Sequence, residues 1–355
     1  MGYTERTAKS FYTASANQNG LPRMPADAPL RVRVASEIDS GPLLRAIIGL
    51  LPFVVLALTT GNELWIKASI LTVAIMIAED KLALRPAGVL AHGLAIIGGT
   101  WLLLLAERVP ALFVLACMLL AAGVILLASR GTRLRALGNW TFLPVLILAN
   151  DLHGGRSIDA LMSAAPASLP YLLAALVPGL VSAQIRSYGK AAARWSDLDD
   201  FGSRAPYRED LIAMIASVGI AALMVEHWHM QRAQWVIWGA ASIVTGTVDT
   251  ARTKLQQRAF GVIVGVPIGV LLGRYLVPHS SMAVTLATLG VFLTLVAFRR
   301  YAVAYFSRCV LVALAIMLAN QSVADAFERL THVIAGGLIG IACVVGVHVL
   351  ARRLG

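Results

Sequence analysis

Aromatic and cationic side chains occur together near the start of two predicted helices. Trp65 and Lys67 lie at the start of one, and Trp235 and Trp238 lie at the start of its counterpart in the second half of the chain. Rings offer a stacking surface and cations attract anionic groups. We therefore predict that these residues bind a substrate. The alternative is an aromatic belt at the membrane interface, with a lysine that extends its ammonium group toward water.

Three further ionisable residues are candidates for binding or for proton transfer. His92 lies about two turns into an apolar helix, and imidazole titrates close to physiological pH. We predict that His92 binds substrate and couples transport to protons, the alternative being a neutral histidine with a local hydrogen bond. Arg308 lies inside another helix and either binds substrate anions or pairs with Asp249. Asp249 is itself either a proton carrier or part of an interfacial ion pair.

Two asparagines follow apolar runs at equivalent positions. Asn150 and Asn320 each end a Leu-Ala-Asn sequence, and both are predicted at the outer end of a helix. They are candidates for substrate contact. Helix capping explains them equally well, and both roles stay open.

A stripe of small residues predicts close helix packing. Arg258 is followed by Gly261, Gly265 and Gly269, and a glycine on every fourth position lets a second helix backbone approach. Pro267 lies between these glycines and predicts a kink or break. We expect the glycines at 336–340 to provide the partner surface, either within the chain or between two copies in a homo-oligomer.

Catalytic and cofactor-binding patterns are not found in the sequence. It contains no nucleophile elbow, no phosphate-binding loop and no metalloprotease spacing. The three cysteines all lie in apolar runs, a pattern typical of buried thiols and not of disulfides or a metal site. We therefore expect a protein that is not an enzyme and that needs no cofactor or metal.

The composition indicates a membrane protein. Of the 355 residues, 58% are apolar and 14% are charged, with a mean hydropathy of +0.75. Soluble domains are about half apolar and a quarter charged. A membrane-spanning helix needs about 20 apolar residues. The chain has twelve candidate stretches, of which the second, fifth and eighth fall furthest short of this length, and we predict an all-α polytopic fold: 43–61, 64–79, 86–106, 110–128, 134–149, 168–185, 210–226, 234–248, 259–277, 281–298, 302–319 and 330–351.

The distribution of basic residues predicts the orientation of the chain. If both termini are cytoplasmic, 24 of the 30 Lys and Arg residues fall on the inner side and 6 on the outer side. Cytoplasmic loops of membrane proteins carry such an excess. The net charge of +11 is therefore explained by topology, and nucleic acid is not an expected partner.

An internal repeat divides the chain into two halves. At an offset of 170 residues, Trp65 aligns with Trp235 and Asn150 with Asn320. Each half has six predicted helices, so both enter the membrane in the same direction, as in transporters with parallel repeats. We predict a mobile cytoplasmic tail over 1–42, repeats over 43–185 and 210–355, and a cytoplasmic linker over 186–209.

The second half resembles a known family. The segments that carry the resemblance are Glu226-His227-Trp228, Gln234-Trp235-Val236-Ile237-Trp238, Thr245-Gly246-Thr247 with Asp249 and Thr250, and Gln257-Arg258-Ala259-Phe260-Gly261-Val262-Ile263-Val264-Gly265. Over about 208–350 they resemble the fusaric acid resistance protein-like family, which includes the aromatic acid exporters. Val262 stands where the family motif has threonine. Many relatives also have a large cytoplasmic domain between the halves, which is missing here.

The resemblance implies an exporter in the bacterial inner membrane. Its substrates would be small aromatic or amphipathic organic acids or similar hydrophobic metabolites, and relatives often work with a periplasmic adaptor protein. Because no nucleotide-binding motif is found, we expect proton-coupled export through a site between the halves. The alternatives are a channel-like pathway for organic anions and a non-transporting membrane subunit that works with an adaptor.

Overall fold

A computed structural model describes residues 36–153, 158–189, 207–230, 232 and 234–354. Most of the predicted tail and linker lies outside these residues. The described residues are almost entirely helical, without a β-strand, and form thirteen helices: α1 (Ser40–Thr60), α2 (Leu64–Leu82), α3 (Pro86–Ala106), α4 (Pro110–Ala128), α5 (Thr132–His153), α6 (Ile158–Ala174), α7 (Val177–Gly189), α8 (Arg208–His227), α9 (Gln234–Ala241), α10 (Val248–Tyr275), α11 (Ser281–Leu293), α12 (Tyr301–Leu318) and α13 (Val323–Leu354).

Eight segments in the described part of the chain are long and apolar enough to cross a membrane. They are α1, α3, α4, α8, α10, α12, most of α13, and one segment over Ala165–Tyr188 that joins α6 to α7. Of the other helices, α9 has eight residues and α11 has thirteen. The helix α2 carries charges at both ends but is buried over most of its length, with Val73 and Ala74 fully covered. A helix inside a bundle does not need a continuous lipid-facing apolar surface.

Local sequence explains where several helices begin and end. Pro86 and Pro110 occupy the first turns of α3 and α4, where the missing amide hydrogen is not needed. Gly61 ends α1 in the left-handed conformation, with φ of 67°, and its N–H donates to the carbonyl of Ala57. Ser322 and Asp325 cap each other reciprocally at the start of α13.

The boundary between α9 and α10 differs from the prediction. We expected helices over 234–248 and 259–277, but α9 ends at Ala241 and α10 begins at Val248. The side chain of Thr247 accepts a hydrogen bond from the N–H of Thr250, which starts α10 early, and Gly246 takes a φ of 104°. Asp249 therefore lies exposed in the first turn of α10 and not at the end of the preceding helix.

The shift places two cations inside a helix. We assigned Lys254 and Arg258 to a cytoplasmic loop, but both belong to α10, and Arg258 is buried. Hydropathy ended the predicted span before these residues because charged side chains lower its local value. The helix nevertheless continues through them, and it also continues through Pro267 without interruption.

The glycine stripe of α10 packs on α12 and not on the helix we expected. A Cβ atom on Gly265 would lie 2.9 Å from the Cβ of Cys309, and one on Gly269 would lie 2.2 Å from the carbonyl oxygen of Val310. Gly336 and Gly340 of α13 contact α9 instead, where a Cβ atom on Gly336 would lie 2.2 Å from the carbonyl oxygen of Val236, and Gly337 faces the side chain of Leu255 in α10. Two separate small-residue contacts therefore hold α10 to α12 and α9 to α13.

The two predicted halves meet through a reciprocal pair of helix contacts. In one, α4 packs against α8, and in the other, α11 packs against α1. At the 170-residue offset, α4 aligns with α11 and α1 aligns with α8. Two further helix pairs extend the contact between the halves: α5 packs against α9, and α11 packs against α2. Arg135 of α5 donates a hydrogen bond of 2.8 Å to the carbonyl of Val244, in the irregular segment after α9.

Replacing Gly269 with alanine tests the packing of α10 on α12. We expect the free energy of unfolding in detergent to fall by about 1–3 kcal/mol, because the added methyl group has no room beside the backbone of α12. Gly98→Ala is the matched control, since a Cβ on Gly98 of α3 meets no atom within 4 Å. Equal losses in the two variants would contradict this account of the contact.

Candidate substrate-binding cavity

A cavity of about 1230 Å³ opens between the two halves. It lies at the end of the bundle where α1 ends and α2 begins, which we call the cavity end. Its lining comes from the last turns of α1, α3, α5, α8 and α12, from the first turns of α2, α4, α9, α11 and α13, and from the connections between them. Ligand sites in proteins usually enclose about 300–1,000 Å³. The space is therefore sufficient for a small organic molecule with water.

Matching segments of the two halves line this cavity. Ala149, Asn150 and Asp151 belong to the last turns of α5, and Ala319, Asn320 and Gln321 follow the end of α12. Asn320 has a φ of 57°, the left-handed conformation in which asparagine often ends a helix. Asn150 lies within α5 and does not end it. The structure thus brings both predicted asparagines to one cavity.

Each half also supplies a cation to the cavity. Lys67, one turn into α2, lines the wall, and its Nζ lies 3.3 Å from a carboxylate oxygen of Glu63. From the second half, Arg232 donates hydrogen bonds to Asp325, Glu328 and Gln321. Both cations therefore already have acidic neighbours, and a bound anion would compete with these carboxylates.

A pair of carboxyl groups distinguishes one wall of the cavity. Glu107 follows the end of α3, and Glu226 lies in the last turn of α8. Burial, and then the nearby charge of Glu226, raise the pKa of Glu107 to about 8. Nδ1 of His153 lies 2.9 Å from a carboxyl oxygen of Glu107. Glu107 consequently holds a proton at neutral pH inside the cavity.

Glu107 was not among the predicted site residues. It is an acidic residue directly after an apolar helix, a position typical of residues at the membrane surface, so nothing in the sequence marks it as part of a site. Its partial burial beside His153 and near Glu226 depends on the packing of the helices, which helix periodicity does not reveal.

The predicted aromatic residues do not line the cavity. Trp65 packs edge-on against Tyr171, with ring centroids 4.6 Å apart, and Trp238 lies 6.2 Å from Phe142. Trp235 lies beneath the guanidinium group of Arg329, which is 3.8 Å from the ring centroid. These rings are packed among helices, whereas their neighbours Ile66 and Ile237 face the cavity.

His92 and Arg308 also lie away from the cavity. His92 is buried, with 2% of its surface exposed, near the backbone of Trp140 in α5. Arg308 donates to the hydroxyl and carbonyl oxygens of Thr294, at 3.1 and 3.3 Å, and does not pair with Asp249. The predicted site residues therefore fall into separate groups, of which Lys67, Asn150 and Asn320 share the cavity.

Ion pairs close the opposite end of the bundle, which we call the basic end. Arg186 of α7 lies 2.7 Å from Glu79, Arg45 pairs with Asp80, and Arg300 pairs with Glu37. An isolated bridge between Ile38 and Phe298 joins the chain before α1 to the segment between α11 and α12. A smaller cavity of about 240 Å³ lies beside these pairs. The bundle is thus open at the cavity end, whereas ion pairs connect its helices at the basic end.

The comparison with protein families identifies the second half of the chain. The family model described as fusaric acid resistance protein-like matches residues 220–343, from the last turns of α8 to the middle of α13. This part of the chain is similar to the fusaric acid resistance protein-like family. The resemblance expected from the sequence is confirmed over these residues. No curated protein and no solved structure matches the chain significantly.

The family match and the apolar helices together indicate a multi-pass membrane protein of a transporter family. The match includes Arg232, Gln234 and Asn320 of the cavity wall, together with the whole glycine stripe of α10. Among the described residues, no group of three His, Cys, Asp or Glu side chains is placed to hold a metal ion.

Glu107→Gln tests the proton on Glu107 through the pH dependence of stability. The folded chain keeps this proton up to about pH 8, whereas the unfolded chain releases it near the ordinary value of 4.5. The contribution of Glu107 to stability is therefore complete below about pH 4.5 and is lost as the pH rises through 8. We expect the variant's melting temperature to fall less than that of the wild type between pH 5 and 9.

The control for this measurement is Glu63→Gln, which changes an exposed carboxylate of the same cavity. It should keep the wild-type slope of melting temperature against pH. Identical slopes for the wild type and Glu107→Gln would show that Glu107 does not carry the proton.

Proposed function

We propose that the protein exports small aromatic or amphipathic organic acids, or similar hydrophobic metabolites, across the bacterial inner membrane, coupled to protons. The observation that carries this proposal is the cavity between the halves, with Asn150 and Asn320 at equivalent positions in its wall. In transporters built from repeats, substrate sites lie where the repeats meet. The family match supports the transporter class.

We further propose twelve membrane segments in two parallel six-helix repeats. The starts of α2 and α9, at Leu64 and Gln234, are 170 residues apart, and those of α4 and α11 are 171 apart. The reciprocal contacts, α4 with α8 and α11 with α1, are those that a two-fold axis along the membrane normal would produce. In this arrangement the short helices α9 and α11 each cross the membrane together with the irregular backbone that follows them. Irregular backbone is tolerated at membrane depth where it is buried inside the protein.

The basic residues support the orientation of this arrangement. With Arg45, Arg186 and Arg300 on the cytoplasmic side, both termini are cytoplasmic and the cavity faces the periplasm. The described conformation is then outward-open, with its cytoplasmic side closed by ion pairs. A closed side favours a carrier with alternating access over a channel, which needs a continuous path in its conducting state.

The cavity lining fits an acid with an apolar body. Lys67 offers a cation, Asn150 and Asn320 offer hydrogen bonds, and Phe113 and Ile237 offer apolar surface. A proton-coupled cycle needs a group that gains and loses a proton near neutral pH. Glu107 satisfies this condition within the cavity, so we add it to the predicted coupling residues His92 and Asp249.

Uptake of labelled benzoate into proteoliposomes with an imposed pH gradient tests the function. We expect saturable flux that depends on the gradient and falls roughly tenfold or more in Lys67→Ala, because a hydrogen bond to a charged group contributes about 1.5–3 kcal/mol. The double variant Asn150→Ala/Asn320→Ala should lose flux similarly. Arg108→Ala is the control, since it removes an exposed cation at the cavity end that does not line the cavity.

Each alternative predicts a different result. Single-channel currents in planar bilayers would show that the protein is a channel-like pathway for anions and not a carrier. Flux that appears only after a stoichiometric periplasmic adaptor is added would make the chain a subunit of a larger pump. Equal flux in the wild type and in both cavity variants would show that the substrate does not bind in the cavity.

A further inference from the structure

Two buried arginines in the second half lack the partners that buried cations normally have. Arg258 of α10 is 2% exposed, and Arg329 of α13 is 1% exposed. In the described part of the chain, Nε and Nη1 of both guanidinium groups have no hydrogen-bond partner. Their planes instead face aromatic rings: Arg258 lies 5.0 Å from the ring centroid of Tyr305, and Arg329 lies 3.8 Å from that of Trp235.

A third arginine belongs to the same cluster. Arg308 of α12 donates to Thr294 and interacts electrostatically with Tyr305 and with Arg329. Tyr305 interacts in turn with Arg258 and Arg329, and Nη2 of Arg258 lies 3.4 Å from its hydroxyl oxygen. Arg258 therefore contacts Tyr305 directly, whereas Arg308 and Arg329 interact with it only electrostatically. We call these three cations the arginine cluster: Arg258, Arg308 and Arg329.

Packing alone does not account for these charges. An unpaired cation within a membrane is costly, and repulsion between Arg308 and Arg329 adds to that cost. Cation–π contacts recover part of that cost but leave most of the N–H donors without acceptors. The buried donors therefore point to a negatively charged ligand with several acceptor atoms.

The repeat shows that the architecture does not require these cations. At the 170-residue offset, Gly88 aligns with Arg258, Gly138 with Arg308, and Asp159 with Arg329. The first half forms its own helix bundle without arginines at these positions. A charge found in one half and missing from the other indicates a function specific to the second half.

We propose that Arg258, Arg308 and Arg329 form a binding site for a carboxylate anion, buried in the second half beside Tyr305. A carboxylate accepts two parallel hydrogen bonds from one guanidinium group, and the aromatic rings of Tyr305 and Trp235 suit an apolar or aromatic body. The site extends the proposed function and rests on it, since it gives a transported acid a second binding position beyond the cavity.

Equilibrium binding of radiolabelled benzoate to the full chain in phosphatidylcholine nanodiscs tests the site. The wild type should bind benzoate saturably, and the neutral isostere benzamide should not compete. In a Lys67→Ala background, which removes this cation from the cavity, Arg258→Gln and Arg329→Gln should each weaken the remaining binding roughly 30-fold or more, the usual effect of removing one partner of a buried charge pair. Arg274→Gln is the matched control, because Arg274 lies over Tyr275 on the same helix but is exposed.

A melting experiment separates binding from folding. Without benzoate, Arg258→Gln should melt at or above the wild-type temperature, since it removes an uncompensated charge. The rise in melting temperature that benzoate produces in the wild type should be lost in this variant and partly restored in Arg258→Lys. A lower melting temperature in Arg258→Gln, together with unchanged benzoate binding, would make Arg258 a purely structural residue and overturn the proposal.

Further outcomes distinguish a carboxylate from a lipid headgroup as the bound anion, and the arginine site from the proposed function. Loss of benzoate binding when anionic phosphatidylglycerol is added to the nanodiscs, equally in the wild type and in Arg274→Gln, would contradict a site restricted to carboxylates. Benzoate binding that depends on the arginine cluster but without transport would refute the proposed function and leave this site standing. Transport and binding that both survive in Arg258→Gln and Arg329→Gln would refute the site and leave the function standing.

Discussion

The contact between α10 and α12 organises the second half of the protein. Four glycines on α10 allow its backbone to approach α12 so closely that a single methyl group at Gly269 would collide with a carbonyl oxygen. Lipid offers helices little hydrophobic reason to associate, so such contacts depend on shape and dispersion. The approach also determines the neighbours of Arg258, because the residue lies one turn before the first glycine of the stripe. Its guanidinium group meets Tyr305 as a direct result.

This packing separates two chemical environments. The cavity between the halves is polar and mixed in charge, and each of its cations already contacts a carboxylate. The arginine cluster is aromatic and cationic, and Nε and Nη1 of Arg258 and of Arg329 are unsatisfied. An acid that moved from the cavity to the arginine cluster would leave water and competing carboxylates behind. It would enter a dry site whose charge is opposite to its own. Such a difference in surroundings is what a transport cycle needs in order to bind and release the same molecule.

The sequence predicted helix positions well where hydropathy and helix boundaries coincide. The spans 86–106 and 110–128 correspond to α3 and α4, where proline begins a helix directly after a polar turn. The prediction was wrong at α10, because capping by Thr247 starts the helix in a charged segment that hydropathy excludes from a span. Of the predicted site residues, the matched asparagines share a cavity, but the matched tryptophans pack among helices. Sequence symmetry predicts equivalent positions and leaves open which face of a helix meets the cavity.

The sequence by itself determined the class of protein, the helical content, the family of the second half and the positions of most helices. These properties follow from local quantities, namely the apolar length of each segment, its capping residues and a motif of contiguous residues. Only the tertiary structure decided that α10 packs on α12 through its glycines, that Glu107 lies partly buried near Glu226 of α8, and that Arg258 faces Tyr305 while Arg329 faces Trp235. These residues are up to about 120 positions apart in the chain, and their proximity depends on how helices rotate and approach one another. That information lies in the packing of whole surfaces and not in the composition of any one segment.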